Sequence, residues 1–390
     1  MKYNFNNVIE RRKTNSAKWD AVERLYGDKD VLPMWVADMD FQTPPKVIEA
    51  LKKQAEHGIF GYTYKPPSYY QPFLDWMERR HGWKIKPGWL TYSPGVVTAL
   101  NICVLALTQP GDKVILQPPV YYPFFRVVLN NGRQVVNNPL KLKNGRYFMD
   151  FDDLEKRAGS RTRVMIISSP HNPVGRSWEK EELARLGEFC LKKDIVLISD
   201  EVHSDLIYPG HKHIPTASIS DELALKTITC VAPSKTFNLA GLKTSVIIIP
   251  NPKLRRRFNI MLSNLGIGMD NSFGLVAFES AYRYGEDWLE ELLEYLNQNL
   301  EYALKYFGGK IPAIKVIKPE ATYLLWLDCR ELGFDDEGLK EFMTRKAKVG
   351  LDDGPPFGPG GQGFQRMNIA CPRATLEEGL KRIEKAVRDL

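Results

Sequence analysis

The sequence predicts an α/β protein: a large domain on a mostly parallel sheet, followed by a smaller α+β domain. Three observations carry this. Short β-branched or apolar runs recur at KVILQ (113–117), RVMIISS (163–169), DIVLIS (194–199), KTITCVA (226–232) and TSVIIIP (244–250). Helix-length gaps separate the second run from the third and the third from the fourth, most visibly WEKEELARLGEFCLKK (178–193), apolar at helical spacing. After Tyr284 the rhythm gives way to a long amphipathic stretch and shorter strand-like pieces.

Strand, helix and strand at about 30-residue spacing make a βαβ unit, so residues 46–285 are expected to form a mostly parallel sheet covered by helices. The last two runs lie too close together for a helical crossover, which predicts an antiparallel strand or a tight connection there. Residues 286–390 read as the small domain, with EDWLEELLEYLNQNLEYALKYF (286–307) as a long helix, ATYLLWLD (321–328) as a strand and a closing helix from Leu376. Residues 1–45, irregular around PMWVADMDF (33–41), are expected to pack with the small domain.

Composition removes several function classes. The 390 residues are 43% hydrophobic and 26% charged, with no apolar run near the ~18 residues a membrane span needs. The polar first twenty residues lack the apolar centre of a signal peptide, and Cys103, Cys190, Cys230, Cys329 and Cys371 are dispersed, which suits a reducing cytoplasm. A formal charge of +7 with one basic run, Arg255-Arg256-Arg257, is a solvated helix face and no nucleic-acid footprint. His211 and His213, in PGHKHIP, have no third ligand nearby in sequence, so metal is not expected and both are placed on the surface.

In open parallel sheets ligands bind beyond the carboxyl ends of the strands. After the 163–169 run comes PHNP with Asn172; after 194–199 comes DEVH with Asp200 and His203; after 226–232 come Ser234 and Lys235. Lys235 alone could snorkel to water, and Asp200 alone could cap a helix. Together, a carboxylate able to keep a pyridinium protonated and an amine able to form a Schiff base are what pyridoxal phosphate asks of its protein. SPGVVTALNICVLAL (93–107) puts the amides of Gly95, Val96 and Val97 at a helix start, an anion site or an ordinary capped helix. PPVYYPFF (118–125) offers Tyr121 or Tyr122 as a flat surface or as core. The glycine-rich GPGGQG (358–363) leads into strand-like QRMNIA, so it is a loop delivering Arg366 and no dinucleotide fingerprint.

The stretches SPHNPVG, SDEVHSD and SKTFNLAG, in this order and spacing, resemble the class I/II aminotransferase superfamily, the fold-type-I pyridoxal-phosphate enzymes. WVADMDF (35–41), FGYTY (60–64), PPFGPGGQGFQRMNIACPR (355–373) and the histidine of DEVH are similar to the MalY/PatB-type carbon–sulfur β-lyases, the cystathionine β-lyases, over essentially the whole chain. The resemblance makes 46–285 the cofactor-binding domain. It implies Lys235 as the Schiff-base lysine, Asp200 as partner of the pyridine nitrogen, Asn172 and His203 at the ring 3-oxygen, and Tyr121 stacked on the ring beside the substrate. Gly95, Val96 and Val97 become the phosphate cup, and Tyr62 a phosphate ligand in a neighbouring subunit, hence a homodimer with shared sites. Arg366 is implied to pair with the substrate α-carboxylate. Two departures stand out: Lys243 occupies the place of a phosphate-anchoring arginine, and Ala232 that of a serine, which shifts phosphate binding toward other donors such as Ser234. Arg373 is expected to cap the last helix.

The implied reaction is α,β-elimination on L-cystathionine or another cysteine S-conjugate, with Lys235 as the base at Cα and Asp200 maintaining the electron sink. An aminotransferase would use the same lysine, aspartate and arginine. A regulatory binding protein that retains the fold is a further alternative, since some members contact a transcription activator.

Overall fold

The computed structural model describes residues 2–390. The large sheet has seven strands: β1 (Leu90–Ser93), β2 (Lys113–Leu116), β3 (Gln134–Asn137), β4 (Thr162–Ser168), β5 (Val196–Asp200), β6 (Thr227–Val231) and β7 (Ser245–Ile248). Their spatial order is β1-β7-β6-β5-β4-β2-β3, with β7 antiparallel to both neighbours and every other pairing parallel. The five apolar runs are β2 and β4 to β7, and the close-spaced last pair is the antiparallel one. A strand covered on both faces reads as a continuous apolar run. The two strands without such a run, β1 (LTYS) and β3 (QVVN), lie at the sheet's edges and are only partly buried.

Helices α1 (Val96–Leu107) and α2 (Lys180–Lys192) are two of those that cover this sheet. α1 buries Ala99, Leu100, Ile102, Cys103 and Val104 in one cluster with Ile198, Ile228 and Ile247. α2 turns Leu183, Leu186, Phe189 and Cys190 inward and opens with a reciprocal Glu179–Glu182 capping box. Arg256 and Arg257 are exposed, and the five cysteines are free and buried.

The second sheet is antiparallel, β8 (Lys315–Ile317), β9 (Leu324–Asp328), β10 (Asp352–Asp353) and β11 (Phe364–Asn368) in the order β8-β9-β11-β10. It is accompanied by α3 (Glu286–Lys310) and α4 (Arg373–Arg388), the latter starting three residues before Leu376. Arg373 is no cap. Its backbone N–H donates to the Tyr295 hydroxyl (2.7 Å), while its guanidinium donates to Asn299 Oδ1 (2.9 Å) and lies over Tyr302. No described helix is long and apolar enough to cross a membrane.

The N-terminal stretch forms a strap. Leu32 and Pro33 pair with Val349 and Gly350, the Asn368 N–H donates to the Met34 carbonyl (2.8 Å), and the Asp40 N–H donates to the Ala370 carbonyl (2.9 Å). Asn238 holds the same strap from the other side, its Nδ2 donating to the Met39 and Phe41 carbonyls (3.0 and 2.9 Å) and its Oδ1 accepting from the Met39 N–H (3.0 Å). Strand ends of the large sheet, strap and small sheet thus meet along one line.

Candidate active site

β6 ends at Val231 and the chain turns at once through the helical turn Pro233–Thr236. The turn directs the Lys235 amine inward, where Nζ donates to the Ala37 carbonyl of the strap (2.6 Å). Burial lowers its pKa to about 8, and the nearby Arg366 charge pushes the same way. On the adjacent strand, Asp200 is the last residue of β5 and is 5% exposed. Among the described residues its carboxylate accepts one hydrogen bond, from the Val202 N–H (3.2 Å), and burial raises its pKa to about 7. His203 follows, with its ring edge-on to Tyr323 and Nδ1 buried without a partner. Burial, and then the charges of Lys235 and Arg366, hold this imidazole neutral, well below its ordinary range.

The loop after β4 supplies Asn172, fixed by its N–H donating to Ser168 Oγ (3.2 Å) and by its carbonyl accepting from the Tyr121 N–H (3.0 Å). That second bond joins the loop after β2 to the loop after β4 and places Tyr121, whose phenol burial pushes up to about 12. Arg366 comes from β11, in the other sheet. Its Nη1 donates to Asn172 Oδ1 (3.1 Å), its Nη2 to the Trp35 carbonyl (3.0 Å) and to Asp352, and its plane lies over Phe357 (5.2 Å). Arg366 Nε is buried with no partner among the described residues.

Gly95 is the N-cap of α1 at φ 130°, a conformation that favours glycine, and a Cβ there would meet nothing within 4 Å. Open space therefore faces the first free amides of a 12-residue helix, with Val96 buried and Val97 38% exposed. Ser234 is half-buried on the Lys235 turn. Lys243 is exposed in the left-handed conformation, φ 50°, and its charge reaches Lys235. Tyr62 is 94% exposed and makes no hydrogen bond among the described residues, so nothing in this chain holds it at the site.

His213 is not on the surface, unlike exposed His211. It is 3% exposed, its Nε2 meets Glu201 Oε2 (3.0 Å), and its ring packs edge-on against His81. Glu201, buried next to Asp200 in sequence, also accepts from Ser199 Oγ (2.8 Å) and the Thr216 N–H (2.9 Å), so its buried oxygens are all partnered. Four other contributors escaped motif reading: the Trp35 and Ala37 carbonyls, Tyr323, whose hydroxyl donates to the Ala37 carbonyl (2.8 Å), and Asp352. Backbone carbonyls carry no residue signal, and Asp352 becomes significant only once β10 pairs with β11 in register.

These features fit pyridoxal phosphate. A buried carboxylate with one protein donor has room for a protonated ring nitrogen, the orphaned His203 Nδ1 and the Asn172 amide are polar groups free to meet a ring oxygen, and the open helix start at Gly95 suits a phosphate. Cystathionine β-lyase PatB of Bacillus subtilis is 48% identical over 385 residues, covering 98% of this chain and all of that protein. Cystalysin from Treponema denticola, whose crystal structure contains a pyridoxal 5'-phosphate cofactor, superposes with a TM-score of 0.96 at 41% identity over the full length of both chains. The pyridoxal-phosphate-bound C–S lyase from Staphylococcus hominis does so with a TM-score of 0.93 at 35% identity, covering 99% of this chain and 98% of that one. The family model for aminotransferase class I and II matches residues 29–383, and the chain belongs to that family.

Proposed function

We propose that this chain is a pyridoxal-phosphate-dependent carbon–sulfur β-lyase, cleaving L-cystathionine or related cysteine S-conjugates by α,β-elimination to a thiol, pyruvate and ammonia. The observation that carries the reading is the half-buried Lys235 amine, lowered to about 8 partly by the Arg366 charge, on the turn after the strand adjacent to the one that ends in the sparsely partnered Asp200 carboxylate. Its likeness to PatB and to the Staphylococcus hominis C–S lyase supports the choice of reaction.

Bound pyridoxal phosphate supplies the sink for the electron pair left when the substrate Cα–H bond breaks. Lys235 is the amine that would hold the cofactor and act as the base that takes the Cα proton; a pKa near 8 suits a base working near neutrality. Asp200 stands where its charge keeps the ring nitrogen protonated. Asn172 and the neutral His203 would offer hydrogen bonds to the ring oxygen, and Tyr121 would supply a flat face for the ring. Gly95, Val96 and Val97 receive the phosphate, with Ser234 and Lys243 as further contacts from the Lys235 side. Arg366 holds the α-carboxylate, fixing which Cα bond faces Lys235. Cleavage of Cβ–S releases the thiolate, which takes up a proton, and the released 2-aminoacrylate takes up water to give pyruvate and ammonia.

Exposure of Tyr62, with Ile59 at 69% and Phe60 at 60% beside it, supports a homodimer in which this loop completes the partner's site. The five dispersed, free cysteines support a cytoplasmic location.

The test is to incubate the holoenzyme with L-cystathionine and follow free thiol and pyruvate without any keto acid. Release of both, lost in Lys235→Ala, is the expected result. Turnover only after a keto acid is added would make the chain an aminotransferase. No visible cofactor band, together with no effect of Lys235→Ala, would leave a binding protein.

A further inference from the structure

Arg366 has five N–H donors, and their distribution is informative. Both Nη2 hydrogens are engaged, one by the Trp35 carbonyl and one by Asp352, and one Nη1 hydrogen goes to Asn172. That leaves Nε–H, buried and unpartnered, and the second Nη1 hydrogen. A guanidinium offers a carboxylate two bidentate edges, Nε with Nη2 and Nη1 with Nη2. Each edge needs an Nη2 hydrogen, so no incoming carboxylate can make two parallel hydrogen bonds until one present partner leaves.

We propose that Asp352 is a place-holding carboxylate on Arg366, displaced by the α-carboxylate of the amino-acid substrate, and that this exchange sets how tightly the site takes carboxylate ligands. The proposal rests on the reading of Arg366 as the α-carboxylate site. Between the two partners on Nη2, Asp352 is the exchangeable one. The Trp35 carbonyl is backbone of a strap tied down on both sides, whereas Asp352 is a side chain on a two-residue edge strand. Asp352 and Arg366 are directly opposed across β10 and β11, which sends both side chains to one face and makes their contact the default of the empty site.

Charge counting agrees. Arg366 and Asp352 are a neutral pair, with side chains 3% and 13% exposed; a second carboxylate on the same cation would leave a buried negative charge uncompensated. Burial pushes the Asp352 carboxyl above its ordinary range, and its charge is felt by the half-buried Tyr26 and Tyr122 phenols.

The experiment uses propionate, a carboxylate with no amine to react, titrated calorimetrically into the holoenzyme. Asp352→Asn and Asp352→Ala are expected to bind propionate on the order of tenfold more tightly and to lower KM for L-cystathionine more than they alter kcat. The control is Asp353→Asn, the same charge change one residue along, where the carboxylate accepts from Gln365 Nε2 (3.1 Å) and pairs with Lys340. It should leave propionate affinity within about twofold of wild type, because it frees no Arg366 hydrogen. Unchanged or weaker binding in both correctly folded Asp352 variants would overturn the proposal, as would an equal gain in Asp353→Asn, which would reduce the effect to overall charge. Arg366→Gln separates the two levels: it should abolish propionate binding, and retained binding would remove the Arg366 reading and the place-holder with it.

Discussion

Asp200 ends β5 and Lys235 sits on the turn after the adjacent parallel strand β6, and each has little to offset the loss of water around its charge. The carboxylate rises from 3.8 to about 7 and the amine falls from 10.5 to about 8, both mainly through burial. For Asp200 the folded pKa lies above the unfolded one, so its favourable contribution is complete below about pH 4 and is lost as pH rises through about 7. Asp200→Asn should therefore stabilise the cofactor-free protein above pH 7, by up to about 4 kcal/mol, with the difference vanishing near pH 4. Urea unfolding at both pH values would show it. For Lys235 the consequence is kinetic. In cofactor-free protein its reductive methylation by formaldehyde, followed by peptide mapping, should rise with a midpoint near pH 8 and level off about one unit above it, while exposed lysines continue to rise. Arg366→Gln removes a cation that depresses this amine, so the midpoint should move upward.

The Lys235 turn is held from behind by an element with no part in the chemistry. Asp205, buried after β5, accepts from Thr236 Oγ1 (2.8 Å) and Trp76 Nε1 (3.0 Å), lies 2.8 Å from His81 Nε2, and sits 3.5 Å from Arg80 Nε. Burial opposes its charge, but these partners win and hold the carboxyl near 2. Asp205→Ala leaves those donors buried and unpaired and should cost about 3 to 5 kcal/mol in denaturant unfolding. Thr236→Ser should keep the position of the visible cofactor band, whereas Thr236→Val should shift it through the displaced lysine. Other elements show why a linear reading sees some parts of a site and misses others. SKTFNLAG announces its lysine but not the hydroxyl that anchors the turn. β1 and β3 were invisible as apolar runs because edge strands are only half covered.

At the scale of the molecule, two sheets and a strap bring Lys235 and Arg366 onto neighbouring strap carbonyls, whereas Tyr62 makes no hydrogen bond among the described residues. Ile59, Phe60, Tyr62 and Tyr64 are 60 to 94% exposed in one loop, more apolar surface than a solitary chain ordinarily leaves in one place. Light scattering should give about twice the 44.6 kDa chain mass. If Tyr62 serves the partner's site, Tyr62→Ala and Lys235→Ala chains, each inactive alone, should recover activity when unfolded and refolded together. One site of each mixed dimer then carries neither change, giving about a quarter of the wild-type sites in an equal mixture. No recovery in confirmed mixed dimers would remove Tyr62 from the shared site.

The sequence by itself determined the five buried strands, because burial on both faces forces continuous apolar runs, and it determined the residues that follow each strand, because a parallel sheet places those positions along one edge. Asn172, Asp200 and Lys235 were legible for that reason. Only the tertiary structure decided how Arg366 reaches them from a second sheet, which strap carbonyls meet it and Lys235, and that Asp352 already occupies the arginine. Such contacts depend on strand register and on backbone groups common to every residue, which no residue type announces.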